Sequence, residues 1–291
     1  MMRARTPRRR ASLLLAGAVV LSAAGCGILD GGVDPSSPTS TTSQAPLSTT
    51  STTEPTTSTS SSTVTKDPPS GSSVLTSSRN YMAATNNVTI SGHFYDAERD
   101  VVITLRAEGS TGGLRSTSQK AGISRATLSI KGGGRMEVLI IGASHYVKVN
   151  KAWLKAVDAP KDSLMRKNLD TWVSVPFDNS PLAVYRPQQL LKQAFFGKSL
   201  TPLDAKKSPA SFETLDGVET YRVAIRKADE SGQERILWVS TDPSRPEPIR
   251  LSAGQGTRGT VLRYTDWGSS REDFAKPASA RSLDHLNSDD F

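Results

Sequence analysis

The side chains best suited to chemistry in this sequence are one cysteine and three histidines, Cys26, His93, His145 and His285. No two of them stand at the spacing of a metal-binding pair, so the sequence predicts no zinc or iron–sulfur site. A Ser-His-Asp triad forms in space and not along the chain, but no G-x-S-x-G turn favours one here. We therefore expect neither an enzyme nor a cofactor.

Two glycine-containing segments imitate nucleotide-binding motifs. Residues 254–259 read G-Q-G-T-R-G and fit G-x-G-x-x-G, and residues 197–199 read G-K-S, as at the end of a phosphate-binding loop. The first motif requires a helix after it, but residues 260–267 have a strand pattern. The second requires a glycine where Lys192 stands. We interpret the first segment as a hairpin loop and assign no phosphate site to the second.

Cys26 ends an N-terminal segment with a different chemistry. Five arginines precede an apolar run over residues 11–25, and residues 21–26 read L-S-A-A-G-C. A basic start, a short apolar run and small residues predict a signal peptide. The ending resembles the bacterial lipobox, in which a lipoprotein signal peptidase cuts before the cysteine. Cys26 would then carry a diacylglycerol thioether and anchor the exported protein to the outer face of the cell membrane.

An uncleaved apolar anchor with an incidental cysteine is the alternative. It does not explain why Cys26 is the single cysteine of the chain. A lone exported thiol has no disulfide partner and is reactive, whereas acylation would consume it. The acylated form is therefore the favoured interpretation, with the membrane as the first partner.

The net charge excludes one class of partner. The whole chain carries +8, but five of these charges are the arginines of the signal peptide, which leaves +3 for the rest. The remaining Lys and Arg are interspersed with Asp and Glu, whereas nucleic-acid binders cluster their basic residues on one face. We expect no nucleic-acid binding. With one apolar run of modest length, the chain is also not a polytopic membrane protein.

Composition divides the chain into four parts. Residues 1–25 are the predicted signal peptide, and residues 26–73 are the lipidated cysteine followed by a tether. About 25 of residues 30–73 are Ser or Thr, a composition that predicts disorder. Residues 74–277 contain all four tryptophans and form the predicted folded domain, and residues 278–291 are predicted to be a polar tail.

Short strands dominate the predicted domain. A helix over residues 74–84 precedes strands at 88–94, 101–107, 114–119, 126–130, 135–141 and 144–149. Helices follow at 161–168 and 187–196, and strands resume at 211–215, 218–225, 235–240, 248–253 and 260–267. Strands that recur every 8–12 residues with glycine turns between them predict an antiparallel meander. Because strands and helices are segregated, the fold class is α+β. We expect a strongly curved antiparallel half-barrel sheet with helices covering its concave face.

Several segments carry a resemblance to a known family. Besides the lipobox and the Ser/Thr-rich spacer, they are N-V-T-I-S-G at 87–92, S-H-Y-V-K-V-N-K-A-W at 144–153, G-V-E-T-Y-R-V at 217–223, L-W-V-S-T-D at 237–242 and Y-T-D-W-G at 264–268. In this pattern the chain resembles actinobacterial lipoproteins of the LppX/LprG type, within the LolA/LolB-like superfamily. The resemblance covers residues 74–277. It implies a half-barrel around helices, in which several relatives hold acyl chains of lipids or lipoglycans.

Two functions remain open from the sequence. The first is a membrane-anchored carrier or chaperone that binds a hydrophobic ligand between sheet and helices. The second is a non-catalytic envelope scaffold, or partner-binding module, with a filled core. For the first, the candidate wall residues are Leu105, Leu128, Ile130, Val138, Ile140, Val147, Leu190, Leu191 and Phe195. Core packing is the alternative role for each of them, because every amphipathic helix or strand buries such a face.

Overall fold

The fold is that of a computed structural model, which describes residues 67–112, 114, 122–176, 178, 180–196, 200–226, 234–254, 256–270 and 273–291. Residues 68–291 belong to one compact unit. The signal peptide, Cys26, most of the tether and most of the strand predicted at 114–119 lie outside the described residues. No helix in the described part of the chain is long and apolar enough to cross a bilayer.

In the described residues, twelve strands form one open, curved sheet, and with the helices this gives the predicted α+β architecture. The strands are β1 (Asn87–Asp96), β2 (Val101–Ser110), β3 (Ile123–Ile130), β4 (Gly134–Ile141), β5 (Ser144–Val149), β6 (Val173–Pro176), β7 (Ala210–Leu215), β8 (Val218–Arg226), β9 (Glu234–Ser240), β10 (Pro248–Ala253), β11 (Thr260–Thr265) and β12 (Arg281–Ser282). Their order is β12-β6-β5-β4-β3-β2-β1-β11-β10-β9-β8-β7.

The sheet consists of two antiparallel meanders that meet at the β1–β11 pair. One meander runs from β1 to β6, and the other from β7 to β11. Tight turns fix their registers. Asp216 and Gly217 take positive φ values in the two-residue turn between β7 and β8, as a hairpin with the right twist requires. Gly132 and Gly133 do so in the three-residue turn between β3 and β4. Both hairpins were predicted from their glycines.

Burial alternates along the strands and gives the sheet one apolar and one polar face. In β3, every second residue is buried, and the three apolar ones among them belong to the core under the helices. The opposite face carries ion pairs such as Arg125–Glu137, at 2.8 Å, and Arg106–Glu108, at 3.0 Å. This alternation is the period of two that a half-buried strand shows.

The helices are short, except for the first. They are α1 (Gly71–Ala84), α2 (Lys151–Ala156), α3 (Pro187–Leu191) and α4 (Pro202–Lys206), with 3₁₀ turns at Leu164–Lys167 and Pro181–Tyr185. A π-helical turn, Lys192–Phe196, continues α3. Ser70 caps α1 through its side chain, so this helix begins at Gly71, three residues before the predicted start.

The sequence missed some elements because they are short. Neither α2, α4 nor β6 was predicted, since four to six residues show too little periodicity to identify an element. The helix expected at 161–168 is one 3₁₀ turn at Leu164–Lys167. The predicted helix at 187–196 is present, but its second half is the π-helical turn.

Part of the segment 278–291, which was predicted to be a polar tail, packs against the folded domain. β12 pairs with β6 in parallel, which is an exception to the antiparallel sheet. Leu286 is buried, and Leu283 and Phe291 pack on the same cluster of core residues. The peptide nitrogen of Leu164 donates to Asp290 Oδ1 at 2.8 Å. Three apolar residues within nine positions supply enough burial to fix a segment that its composition marks as polar.

Candidate functional site

The main feature of the concave face is one row of apolar side chains that crosses ten strands. Neighbours in the row are register partners, so they lie side by side across the sheet. The row consists of Val149, Met136, Leu128, Leu105, Gly92, Leu262, Leu251, Leu237, Val223 and Ala210. Its nine side chains are all buried. At about 4.8 Å per strand, the row follows a path of about 40 Å.

Gly92 divides this apolar row into two clusters. Leu262 and its neighbours towards β7 belong to a first cluster, together with Val74 of α1. Leu105 and its neighbours towards β5 belong to a second cluster, together with Trp153 of α2. Gly92 has φ +149°, and a Cβ atom there would overlap the carbonyl oxygen of Val261. The boundary between the clusters is therefore a place where the sheet admits no side chain.

The predicted wall residues lie on this face or in the helical segments packed on it, and they divide between the two clusters. Those of the sheet all belong to the second cluster: Leu105, Leu128, Ile130, Val138, Ile140 and Val147. Leu191 and Phe195 belong to the first cluster. Leu190 is half-buried and packs against both clusters. The sequence thus identified residues of one surface, and Leu190 is the one that bridges its two parts.

A layer of short helical segments covers the apolar row. α2 contacts β3 and β4, α3 contacts β1 and β2, and α4 packs on α1 and β8. Asn150 caps α2 by accepting from Trp153 N at 2.8 Å, and it also donates to Gly133 O at 2.8 Å. We call this layer, which consists of α2, α3, α4 and the π-helical turn, the helical cover. Segments of five or six residues are not stable helices by themselves, so packing on the sheet holds them in place.

Arg79 of α1 holds one end of the helical cover. Its guanidinium donates to the carbonyl oxygens of Phe195 and Leu200, and it lies 5.3 Å from the ring centroid of Phe196. Burial lowers the pKa of Arg79. The ring of Phe195 meets Tyr264 of β11 edge to face, with centroids 5.3 Å apart. One arginine and one aromatic pair therefore fasten the π-helical turn to α1 and the sheet.

Polar side chains interrupt the apolar surface at one end of the second cluster. We call this group the polar rim, and it consists of Ser124, His145, Arg186, Gln188 and Lys192. Ser124 and His145 lie on the concave face, on either side of Ile140 in the sheet register. All members except Lys192 are buried, with Arg186 1% exposed and His145 0%.

Two contacts place the helical members of the polar rim against the sheet. Gln188 Nε2 donates to the carbonyl oxygen of Gly112 at 3.4 Å. A Cβ atom at Gly122 would lie 3.2 Å from Arg186 Nη2 and 3.2 Å from Ser110 Oγ. The start of α3 is therefore packed on the ends of β2 and β3, and Gly122 leaves the space that the guanidinium occupies.

Burial and the charge of Arg186 together lower the pKa values of two side chains of the polar rim. Burial, with the charge of Arg186 second, lowers the pKa of His145 from 6.5 to about 4. The same two causes lower the pKa of Lys192, again with burial as the larger. His145 is therefore a neutral imidazole at neutral pH, and the positive charge of the rim resides on Arg186 and Lys192.

A groove opens at the edge of the first cluster. It lies between α1 and the ends of β8 and β9 and has a volume of about 150 Å³. Its walls include Pro69, Val74, Tyr221, Val239 and Asp242. Sites for drug-sized ligands have volumes of about 300–1,000 Å³, so this groove does not hold an acyl chain.

The part of the chain that the structure describes offers no candidate metal site. Within the described residues, no three His, Cys, Asp or Glu side chains are close enough to hold a metal ion. What the arrangement offers is apolar surface and one buried cationic rim. Fold and site together define an α+β protein with a curved sheet, whose concave apolar face lies under a cover of short helices.

Solved structures that match the chain include proteins of the kind that the sequence resembles. The chain is similar to LprF from Mycobacterium bovis, with 13% identity over 70% of this chain and 95% of that one, at a TM-score of 0.42. It is similar to the lipoprotein LppX from Mycobacterium tuberculosis, with 12% identity over 71% and 97%, at a TM-score of 0.41. A LolA superfamily protein from Nitrosomonas europaea matches at 12% identity over 69% and 94%, with a TM-score of 0.23.

These similarities assign no ligand to this chain, because the identities lie far below 25% and every TM-score below 0.5. No family model matches the chain, and no curated protein matches its sequence. The functional argument therefore rests on the residues of the concave face.

Proposed function

We propose that this protein is an exported, membrane-tethered lipoprotein that binds a hydrophobic ligand under the helical cover. The ligand class is the acyl chains of a lipid or lipoglycan, and the role is that of a carrier or chaperone in the cell envelope. The single observation that carries the proposal is the apolar row across ten strands, from Val149 to Ala210. Nine buried side chains line this path of about 40 Å along the concave face.

The energetics of an acyl chain fit this surface. Burial of about 15 methylenes is worth about 12 kcal/mol at ~0.8 kcal/mol each. Part of this is offset, because the ligand must replace contacts between the helical cover and the sheet. A net affinity close to that of a membrane would permit both uptake and release, as a carrier requires.

The construction of the helical cover supports such a replacement. Leu190 bridges the clusters without being fully buried, and the π-helical turn that follows it has five residues. Short segments and π-helical turns separate from a sheet at lower cost than one long helix would, and π turns often mark functional sites. We infer that the ligand enters where α3 and this turn lie over the boundary at Gly92.

The membrane anchor belongs to the same proposal. Cys26 stands at the end of a lipobox-like segment, and the tether after it would give the domain a typical reach of about 35–40 Å. Cys26→Ser should release the protein from the membrane fraction of an actinobacterial host or leave it uncleaved. Ser22→Ala, a change within the same segment that keeps the cysteine, is the control and should retain labelling by a radioactive fatty acid. Acylation of the Cys26→Ser protein would contradict the anchor.

Ligand binding is tested with the chain from Gly27 onward, which lacks the acylated cysteine but contains residues 68–291. Organic extraction of the purified protein should yield amphiphile in molar proportion to protein, as measured by mass spectrometry. Leu128→Gln, in the centre of the apolar row, should lose it, whereas Thr127→Gln on the opposite face should retain it. An empty extract, together with no uptake of added lipid, would contradict the carrier function.

A filled-core scaffold is the second candidate, and one observation favours it. Every side chain of the apolar row is buried by protein, while Phe212 on the edge strand β7 is 54% exposed. Its ring lies 5.3 Å from that of Tyr221, so the two form an apolar surface at the sheet edge. An empty extract combined with partner capture that depends on Phe212 would favour this function over the carrier.

A further inference from the structure

The polar face of the sheet, opposite the helical cover, carries a row of arginines. One line of register partners crosses β2, β1, β11, β10, β9 and β8 and consists of Arg106, Ser91, Arg263, Arg250, Trp238 and Arg222. Each of these residues stands next in sequence to a residue of the apolar row, so it points to the opposite face. We call the four arginines of this line the arginine row.

Most guanidinium groups of the arginine row are accessible. The side chain of Arg106 is 59% exposed and pairs with Glu108 at 3.0 Å, and that of Arg263 is 50% exposed and pairs with Asp216 at 2.6 Å. The side chain of Arg222 is 32% exposed. Ion pairs as exposed as these contribute little to stability, so their guanidinium groups can turn to another anion at small cost.

Arg250 is held differently from the other three arginines. Its guanidinium lies 5.0 Å from the ring centroid of Trp238, and its Nε atom is buried without a hydrogen-bond partner. On its other side, its register partner is Arg263. Like charges directly opposite each other on neighbouring strands are destabilising. An anion between these two arginines would reduce that repulsion, and a guanidinium fits the oxygens of a phosphate.

The polar face as a whole has an excess of basic residues. The described strands place seven on it, which are Arg106, Arg125, Arg135, Lys148, Arg222, Arg250 and Arg263. The acidic residues of these strands on the same face are Glu108, Glu137, Glu213 and Glu234, and the turn after β7 adds Asp216. The excess of positive charge fits an anionic partner.

The turn between β7 and β8 favours a lipid surface as this partner. Val218 is 41% exposed, and it lies four residues before Arg222 on β8, hence on the same face. Its register partner is Leu215. Asp216, between them in the turn, contacts Arg263 and so joins the turn to the arginine row. Exposed aliphatic side chains beside basic ones are the combination with which proteins bind an anionic membrane surface.

The tether joins the domain at the same end of the sheet. Ser70, the last residue before α1, forms an antiparallel bridge with Pro209, directly before β7. Ser211, two residues further on, is the register partner of Arg222. An anchored domain stays at a high effective concentration at the bilayer, so weak attraction is enough to orient it. One basic residue near an anionic leaflet strengthens binding about fivefold.

We propose that the polar face docks on a bilayer surface that contains anionic phospholipid. The arginine row binds the lipid phosphates, and the aliphatic side chains of the β7–β8 turn lie among the headgroups. This inference rests on the membrane anchor of the proposed function and adds the surface by which the domain lies on the membrane. The helical cover, on the other side of the sheet, then points away from the bilayer.

The test measures co-sedimentation of the chain from Gly27 onward with lipid vesicles. One preparation is phosphatidylcholine alone, and the other contains equal parts of phosphatidylcholine and phosphatidylglycerol. At low salt we expect at least about tenfold stronger binding to the anionic vesicles, since two or more arginines contact them. At high salt, where the Debye length falls to about 3 Å, this preference should disappear.

Variants identify the surface that binds. Arg250→Gln and Arg263→Gln should each weaken binding to the anionic vesicles about fivefold. Arg263 is half exposed, so its variant keeps the inference testable if Arg250→Gln fails to fold. Val218→Ser should weaken binding while its dependence on salt stays the same. Lys207→Gln removes an exposed lysine next to α4, in the helical cover, and is the matched control that should bind like the wild type.

Several outcomes would overturn the inference. They are no binding to vesicles, equal binding to both preparations, a preference that survives high salt, and equal weakening in Lys207→Gln and the arginine variants. Binding to soluble polyglutamate without binding to vesicles would also overturn it, in favour of an acidic protein partner. Because this chain lacks Cys26, the result is independent of acylation, which the fractionation of Cys26→Ser tests separately.

Discussion

Leu105 and Leu262 are both register partners of Gly92, one from β2 and the other from β11. They face each other across a residue without a side chain and belong to different hydrophobic clusters. The strands of the concave face therefore form one hydrogen-bonded sheet, but their side chains pack in two separate clusters. The position where the packing divides is also the position where α3 contacts β1 and β2.

Gly92→Ala should be strongly destabilising. The new Cβ would overlap the carbonyl of Val261, and φ +149° is unfavourable for alanine. We expect the free energy of unfolding, measured in urea, to fall by about 3 kcal/mol or more. Gly132→Ala is the matched control, because its φ is +95° and nothing lies within 4 Å of the new methyl group. Gly132→Ala should lower the free energy of unfolding by only about 1–2 kcal/mol. Equal losses of stability in the two variants would show that the close approach of Val261 to Gly92 is unimportant.

Arg79→Met should loosen the helical cover. The variant keeps most of the side-chain volume but removes both hydrogen bonds to the carbonyls of Phe195 and Leu200. Amide hydrogen exchange, followed by mass spectrometry, should accelerate in residues 187–196 and stay unchanged in β8 and β9. Arg166→Met is the control, since Arg166 also donates to two carbonyls, those of Ala159 and Pro160, away from this turn. Protection of residues 187–196 that survives in Arg79→Met would contradict its fastening role.

Stability should depend on pH through His145. Burial and the charge of Arg186 lower the pKa of its imidazole from 6.5 in the unfolded chain to about 4 in the folded one. Between these values the unfolded state binds more protons, so folding is favoured fully above pH 6.5 and progressively less towards pH 4. The loss amounts to about 3 kcal/mol at 1.36 kcal/mol for each factor of ten in proton affinity.

The measurement is urea unfolding of the wild type and of His145→Gln between pH 7.5 and 4. The difference between the two proteins should shrink as the pH falls, because the glutamine has no proton to take up. His285→Gln removes an imidazole from the exposed C-terminal segment and leaves His145 in place, so it should follow the wild type. Parallel curves for His145→Gln and the wild type would contradict the assignment.

Leu286→Ala should destabilise the second cluster although it lies in a segment of polar composition. Leu286 is 3% exposed and packs with core residues of β2 to β6. Deletion of a buried leucine side chain costs about 2–5 kcal/mol, and we expect a loss within this range in thermal or urea unfolding. Leu283→Ala, at a half-buried position of the same segment, should cost less. No change in either variant would mean that residues 278–291 are dispensable for the fold.

Much of the sheet could be predicted from sequence because its signals are local. Glycine turns such as Gly132–Gly133 and the alternation of buried residues in β3 identified the hairpins and the concave face. The wall residues Leu105, Leu128 and Val147 do lie on that face. Each of these inferences needs only a period of two and a turn residue.

The division of the core and the polar rim could not be predicted, because both depend on residues far apart in the chain. Gly92 looks like an ordinary strand glycine until β11 lies against it. His145 and Arg186 come from a strand and a turn with no shared motif, and only their burial together defines the rim. The predicted role of the wall residues in ligand binding remains a prediction, as does acylation of Cys26.

The pairing of β1 with β11 has a consequence for how the molecule is made. Thr89 is the partner of Thr265, so the bond between the meanders joins residues from nearly opposite ends of the domain. The chain is synthesised from its N-terminus, so β1 is complete long before β11. Until β11 has been synthesised, the edge of β1 that pairs with it has no partner strand. Closure of this seam is therefore a late and slow event, and a ribosome-released or newly translocated molecule is exposed to mispairing until it happens.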